Sequence, residues 1–261
     1  MSRILWLSGG PGKGKTMLSI YLTDVLEEYT KPSDGTLLYY FCDSQKRNTP
    51  VAILGGLLRQ LLEKQSRLFK YILSDFKVQG EGLTSSLNAL WRIFTTMLQD
   101  SGLQEVLCVL DGLDECDECK EGSLELFLKM LNDFFSRTGN APSTGNAPST
   151  ENVPSTENFK LLVVSRDRPT CIESQLCGFD RIRLDPDSDD KVNDIGIYIS
   201  SKVSELAVER RLGAKALECV RQSLTNGAEG TFLWVGFVAD QLKGKNESDV
   251  EKILSGLPRH G

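Results

Sequence analysis

Histidine is almost missing from this chain: among 261 residues the single one is His260. Cys116-x-x-Cys119 has the spacing of a zinc-ligand pair, but no second CxxC follows and no histidine lies near it to complete a tetrahedral set. A basic excess is missing too. The formal charge is −6 and lysine and arginine form no cluster, so there is no field to attract a nucleic-acid backbone, and nucleic acid is not an expected partner. Apolar runs such as 232–239 are too short to cross a bilayer, and no charged-then-apolar leader opens the chain; a cytoplasmic protein without membrane attachment of its own is expected. The seven cysteines are odd in number and scattered through a chain too large to need disulfide staples, so they read as free thiols.

What is present alternates. Short, almost unbroken apolar runs at 3–8, 36–42, 106–111 and 159–165, with a fainter one at 181–184, read as strands covered on both faces. Between them, three-to-four-residue periodicity predicts helices at 15–29, 50–65, 83–99 and 123–137; Ile53, Leu54, Leu57, Leu58, Leu61 and Leu62 form one apolar stripe. This βαβα order predicts an α/β fold, a doubly wound parallel sheet with right-handed crossovers. Beyond residue 184 the strand signals stop, and helices are expected at 187–209, 214–223, 231–243 and 248–254. Two domains follow: 1–186 as an αβα core, and 187–261 as a helical subdomain hinged at Asp185-Pro186. A hexad, Thr138-Gly139-Asn140-Ala141-Pro142-Ser143, recurs at 144–149 and, varied, at 150–155. The span 138–158 is too polar and too rich in proline and glycine to repay ordering, so a loop is expected there.

The chemistry-bearing segment is Gly9-Gly10-Pro11-Gly12-Lys13-Gly14-Lys15-Thr16. It matches G-x-x-x-x-G-K-[ST] and follows an apolar strand and opens an amphipathic helix, the context in which such a loop cradles phosphates. Main-chain N–H groups curl inward as an anion nest, the helix dipole adds to it, Lys15 reaches the β and γ phosphates, and Thr16 ligates magnesium. Asp111, ending the 106–111 strand, supplies the acid that holds magnesium through water. Asp114 and Glu115 follow at the same strand end, where one could polarise an attacking water; the plainer alternative is that they begin an acidic loop with Asp117, Glu118 and Glu121. The 159–165 strand leads into Arg166-Asp167-Arg168-Pro169. Arg166 is a γ-phosphate sensor candidate, or else a solvated arginine paired with Asp167.

Taken together, these strings resemble the NACHT family of STAND P-loop ATPases, most closely the fungal NOD-like receptor (NLR) proteins. The matching residues are Leu5 to Thr16, Leu110-Asp111-Gly112-Leu113-Asp114-Glu115-Cys116, Leu161 to Pro169, and Gly230-Thr231-Phe232-Leu233-Trp234. The resemblance implies a three-layer αβα sandwich with strand order 5-1-4-3-2, which would set the Arg166 strand between those of the phosphate loop and Asp111 and make Arg166 the sensor 1 arginine. It further implies ATP or ADP with Mg2+, GTP being the alternative base, and a switch that oligomerises through its NACHT domains when triphosphate replaces diphosphate. Relatives usually carry Gly-x-Pro near the base, whereas this chain has Gly230-Thr231-Phe232. The segment 187–261 is expected to be a partial lid lacking a winged-helix region.

Other classes fit less of the sequence. A P-loop kinase should carry an arginine-rich lid, and Arg210-Arg211 is the only such pair; a Ras-like GTPase should carry Asn-Lys-x-Asp, which is absent. A module that binds nucleotide without turnover uses the same motifs, so spacing leaves it open.

Overall fold

The computed structural model describes residues 3–43, 48–116, 123–137, 157–184, 189–208, 212–228 and 231–257. The hexad repeats, Cys119, the Asp117, Glu118 and Glu121 acids, the Asp185-Pro186 hinge, Arg210-Arg211, Gly230 and His260 lie outside them.

Five strands, β1 (Ile4–Ser8), β2 (Thr36–Phe41), β3 (Val106–Asp111), β4 (Phe159–Ser165) and β5 (Asp180–Arg183), form one sheet in the order β2-β3-β4-β1-β5. Every pairing is parallel. Counted from the other edge the order is 5-1-4-3-2, as the resemblance implies. Side-chain alternation splits the buried strand residues between two faces. Leu38, Cys108, Leu110, Leu161 and Val163 join a large core with helices α2 (Pro50–Lys64), α4 (Leu87–Leu98) and α5 (Ser123–Arg137). Leu37, Leu107 and Val109 meet Leu26 of α1 (Lys15–Thr30) on the opposite face. This gives the αβα layering.

Local chemistry sets several helix starts. Thr49 caps α2 by accepting from the Ala52 N–H at 3.2 Å, with Pro50 in the first turn, and all six residues of the predicted apolar stripe are buried. The helix expected over 83–99 begins only at Leu87, because Ser86 takes the capping position and 80–85 winds as a 3-10 turn. Two helices were not among those expected, α3 (Phe69–Gln79) and α6 (Thr170–Leu176). Phe69, Ile72, Leu73 and Phe76 of α3 do recur at helical spacing, although Phe69, Leu73 and Phe76 are exposed and Tyr71 and Ile72 make its packing on the core, and α6 has only seven residues.

Helix α1 overturns its expected amphipathicity. Its buried residues are Ser19, Thr23 and Thr30, while Met17, Ile20, Tyr21, Val25 and Tyr29 are exposed. Hydroxyls, not alkyl groups, occupy its fully buried positions: Ser19 reaches Asp111 at the sheet edge, while Thr23 and Thr30 donate to carbonyls of their own helix.

The chain divides into two compact units, one of Met1–Ser8 and Lys15–Arg183, the other of Gly9–Gly14 and Leu184–Gly261. In the second, α7 (Asp189–Val208), α8 (Ala214–Gly227), α9 (Phe232–Leu242) and α10 (Glu247–Ser255) bury Ile195, Ile199, Val220, Leu224, Val235 and Val238 in a core of their own.

Candidate functional site

A parallel sheet delivers the C-terminal ends of its strands to one edge, and the register here aligns them closely. Ser8 pairs with Ser165 and with Arg183, and Asp111 with Val164. Residues that follow β1, β3 and β4 therefore start from neighbouring points, the position where open α/β sheets bind ligands.

On this edge the first unit assembles a polar cluster. Asp111 is buried at 2% exposure and accepts hydrogen bonds from two hydroxyls of α1, Thr16 and Ser19, the Ser19 Oγ lying 2.9 Å from Oδ1. Burial pushes the Asp111 carboxyl above its ordinary range, against the opposing pull of these hydroxyls and of Lys15. Half-buried Lys15 is shifted down, chiefly by desolvation; Asp114 opposes the shift and Arg166 adds to it. Gly112 follows Asp111 with φ 74° and donates to the Val164 carbonyl at 2.8 Å, turning the chain into the single 3-10 turn Leu113–Glu115. A side chain at Gly112 would be strained, and its Cβ would lie 3.1 Å from the Cys42 carbonyl oxygen.

That turn presents Asp114 and Glu115 to the end of β4. Asp114 Oδ1 accepts the Arg166 backbone N–H at 2.9 Å, and Oδ2 lies 3.0 Å from Arg166 Nε. Glu115 Oε1 stands 4.0 Å from the same guanidinium. Arg166 is thus paired with the acids of the neighbouring strand and not with Asp167. Asp167 receives Arg183 at 2.8 Å and Arg181 at 2.5 Å; burial alone would raise its carboxyl, but these two guanidinium groups hold it below the ordinary range. Arg181 also donates to Ser8 Oγ at 2.8 Å and lies 3.9 Å over the Trp6 ring, whose indole N–H donates to Ser165 Oγ at 2.9 Å. The residues just before the glycine-rich loop and just before Arg166 are tied together by this lattice. Neither it nor the Ser19 contact was visible in the sequence; the one available signal for Ser19 is its place three residues after Thr16, on the same face of a helix.

The loop Gly9–Gly14 joins β1 to α1 and belongs to the second unit. Gly12 and Gly14 have φ of 71° and 78°, left-handed values that let successive N–H groups turn to one side. Within that unit the loop packs against Leu184 and the start of α9. A Cβ at Gly9 would sit 3.1 Å from Leu184 Cβ, one at Gly14 would meet the Phe232 ring at 3.3 Å, and Gly12 abuts Thr231 and Leu233. Trp234 of the F-L-W string presses its ring on Gly227, and Tyr198 meets Phe232 edge-on with centroids 5.5 Å apart.

Two further expectations concern ligands. The donor set at the sheet edge, one hydroxyl and one carboxylate side by side, fits magnesium, which keeps most of its waters and takes few protein ligands. The glycine cradle with left-handed residues ahead of Lys15 fits a polyphosphate. At the Cys116-x-x-Cys119 pair, the buried Cys116 thiol donates to the Asn48 carbonyl at 3.2 Å, and no cluster of three metal-ligating residues occurs among the described residues. No helix among them is long and apolar enough to cross a membrane.

This sheet order and edge geometry are those of a P-loop ATPase fold. Solved structures share it. The chain superposes on a chain of Drosophila ORC, from a structure of that complex bound to DNA, with a TM-score of 0.51 at 12% identity, covering 97% of this chain and 55% of that one. A Walker-type ATPase of Pyrococcus abyssi matches with a TM-score of 0.50 at 12% identity, over 97% of this chain and 66% of that one. By sequence, the family described as Nephrocystin 3, N-terminal, matches residues 1–166, and the chain belongs to that family. The resemblance to fungal NLR proteins is also borne out: the vegetative incompatibility protein HET-E-1 of Podospora anserina is 31% identical over 248 residues, which is 92% of this chain and 16% of that protein. The chain therefore spans a small part of the curated relative it matches, and about half to two thirds of these structural neighbours.

Proposed function

We propose that the chain is the nucleotide-binding core of a NACHT-type molecular switch, holding ATP or ADP with Mg2+, GTP being the alternative, and hydrolysing the triphosphate slowly. The observation that carries this reading is the convergence of Thr16, Asp111, Asp114, Glu115 and Arg166 on one sheet edge, with Thr16 already hydrogen-bonded to Asp111. In it, Gly9, Gly10, Pro11, Gly12, Lys13 and Gly14 wrap the phosphates through main-chain N–H groups, and Lys15 places its charge on them. Thr16 and Asp111 hold magnesium, which when bound neutralises phosphate charge. Arg166 senses the γ-phosphate.

The two acids divide the remaining work. Asp114 spends one oxygen on the Arg166 main chain and the other on its side chain, so it serves as the anchor of Arg166. Glu115, on the same turn, orients the attacking water in this reading. Residues 1–186 act as the NTPase core and 187–261 as a lid subdomain. By analogy with HET-E-1, exchange of diphosphate for triphosphate would control self-association of the longer protein in the cytoplasm, with an incompatibility or innate-immune output.

The test is to denature the purified protein, identify any co-purified nucleotide, and follow phosphate release. Retained adenine nucleotide and slow release that Glu115→Gln abolishes without loss of binding are expected. Absence of any nucleoside phosphate binding would overturn the reading, and binding with no release in wild type would leave an inert nucleotide module.

A further inference from the structure

Ser19 is the most buried polar side chain on α1, with no exposed surface, and nothing in the phosphate-loop pattern calls for a hydroxyl there. Its Oγ lies 2.9 Å from Asp111 Oδ1 and 3.0 Å from the Lys15 carbonyl oxygen. A hydroxyl has one proton and cannot serve both acceptors at once; an ionised carboxylate is the stronger, so the proton goes to Asp111. Thr16 and Ser19 are three residues apart, hence on one face of α1, and both reach the same carboxylate. Their duties differ. In the nucleotide-and-magnesium reading, on which this inference rests, the Thr16 oxygen is a metal ligand and the metal sets its direction. Ser19 lies a turn further along the helix and has no such second duty. Within the same helix Thr23 Oγ1 donates to the Ser19 carbonyl at 2.7 Å, and the fully buried positions of α1 carry hydroxyls, not alkyl groups.

We propose that Ser19 is a positioning residue for the metal site, fixing one oxygen of Asp111 so that the other is presented to magnesium. A carboxylate at the end of a strand rotates about its terminal torsion, which is broad and only two-fold restricted. One buried donor on one oxygen removes that freedom. Without it, magnesium must order the carboxylate as it binds.

The experiment separates metal from nucleotide. Affinity for a fluorescent adenosine diphosphate is measured in EDTA and across a magnesium titration, for wild type, Ser19→Ala and Ser19→Thr. In EDTA, Ser19→Ala should bind within about twofold of wild type, while the tightening produced by magnesium falls by roughly five- to tenfold, the span expected for one hydrogen bond to a charged group. Ser19→Thr, which restores a hydroxyl, should recover most of that loss. Ser19→Cys keeps the volume with a weak donor and should behave as alanine does, giving the same reading if alanine disturbs folding. The proposal is overturned if Ser19→Ala keeps the wild-type magnesium dependence, or if binding weakens equally with and without the metal, since a general loosening of the loop would do the latter. Wild type that binds nucleotide with no magnesium dependence, or binds none, overturns the underlying reading along with it.

Discussion

Two buried aspartates of the first unit are treated in opposite ways. Asp100, at the end of α4, is 8% exposed and surrounded by donors: Lys70 Nζ at 2.8 Å, Arg67, the Tyr71 hydroxyl at 2.8 Å and the Gly102 N–H at 3.0 Å. Hydrogen bonding by Lys70, then by Tyr71, Arg67 and Gly102, outweighs burial and holds its carboxyl well below the ordinary carboxylate range. Asp111 is more deeply buried, receives only neutral hydroxyls at hydrogen-bonding distance, and has its carboxyl raised. A buried charge satisfied by the protein's own cations holds structure together. One left short of positive charge is suited to receive a cation from outside.

The largest effect that bears on this contrast is on binding. Lys15→Ala should weaken nucleoside triphosphate affinity by about a hundredfold or more, since it removes the charge proposed to meet the phosphates, while leaving the melting temperature nearly unchanged, because desolvation of this half-buried ammonium outweighs the support it draws from Asp114 and Asp111; calorimetric titration alongside thermal melting checks both halves. Next, Asp111→Asn should cost on the order of tenfold in magnesium-dependent affinity, yet in metal-free protein be neutral or mildly stabilising, because a poorly compensated buried charge is removed.

Asp100→Asn should do the reverse, lowering stability by about 2 kcal/mol at pH 7 with nucleotide affinity intact. That difference has a pH signature of known sign. The folded-state carboxyl of Asp100 is depressed, so its contribution is full above the ordinary carboxylate pKa and drains away as pH falls below that value toward the depressed one. Urea unfolding of wild type and Asp100→Asn should converge as the medium is taken from neutral into this acid range. A gap that stays constant would mean the ion pairs around Asp100 contribute nothing. The smallest effect concerns the turn that carries the acids: Gly112→Ala should cost roughly 1–2 kcal/mol for its left-handed backbone, read as a melting temperature lower by a few degrees.

Much of this was legible in the sequence. The β3 and β4 bounds coincide with the apolar runs at 106–111 and 159–165, and α2 with its stripe, because each signal is local and its period is set by the backbone geometry itself. The candidate residues Lys15 and Thr16 were equally plain, since G-x-x-x-x-G-K-[ST] fixes their offsets along one stretch of chain, and Asp111 was because it ends an apolar run. Helix α3 was not anticipated although Phe69, Ile72, Leu73 and Phe76 recur at helical spacing; the stretch is short, and Phe69, Leu73 and Phe76 are exposed. Nor was the partner of Arg166: Asp114 is 52 residues away and meets it only because β3 and β4 are neighbours in register.

The sequence by itself determined the order of strands and helices, the glycine cradle and the presence of acids at a strand end, all consequences of residue type and short spacing. Only the tertiary structure decided which acid holds Arg166, which aspartate is neutralised by the protein's own side chains, and that a serine one turn beyond Thr16 reaches Asp111. Those outcomes depend on which strand lies beside which and how deeply each charge is buried, quantities that a parallel sheet fixes only once its crossovers have closed.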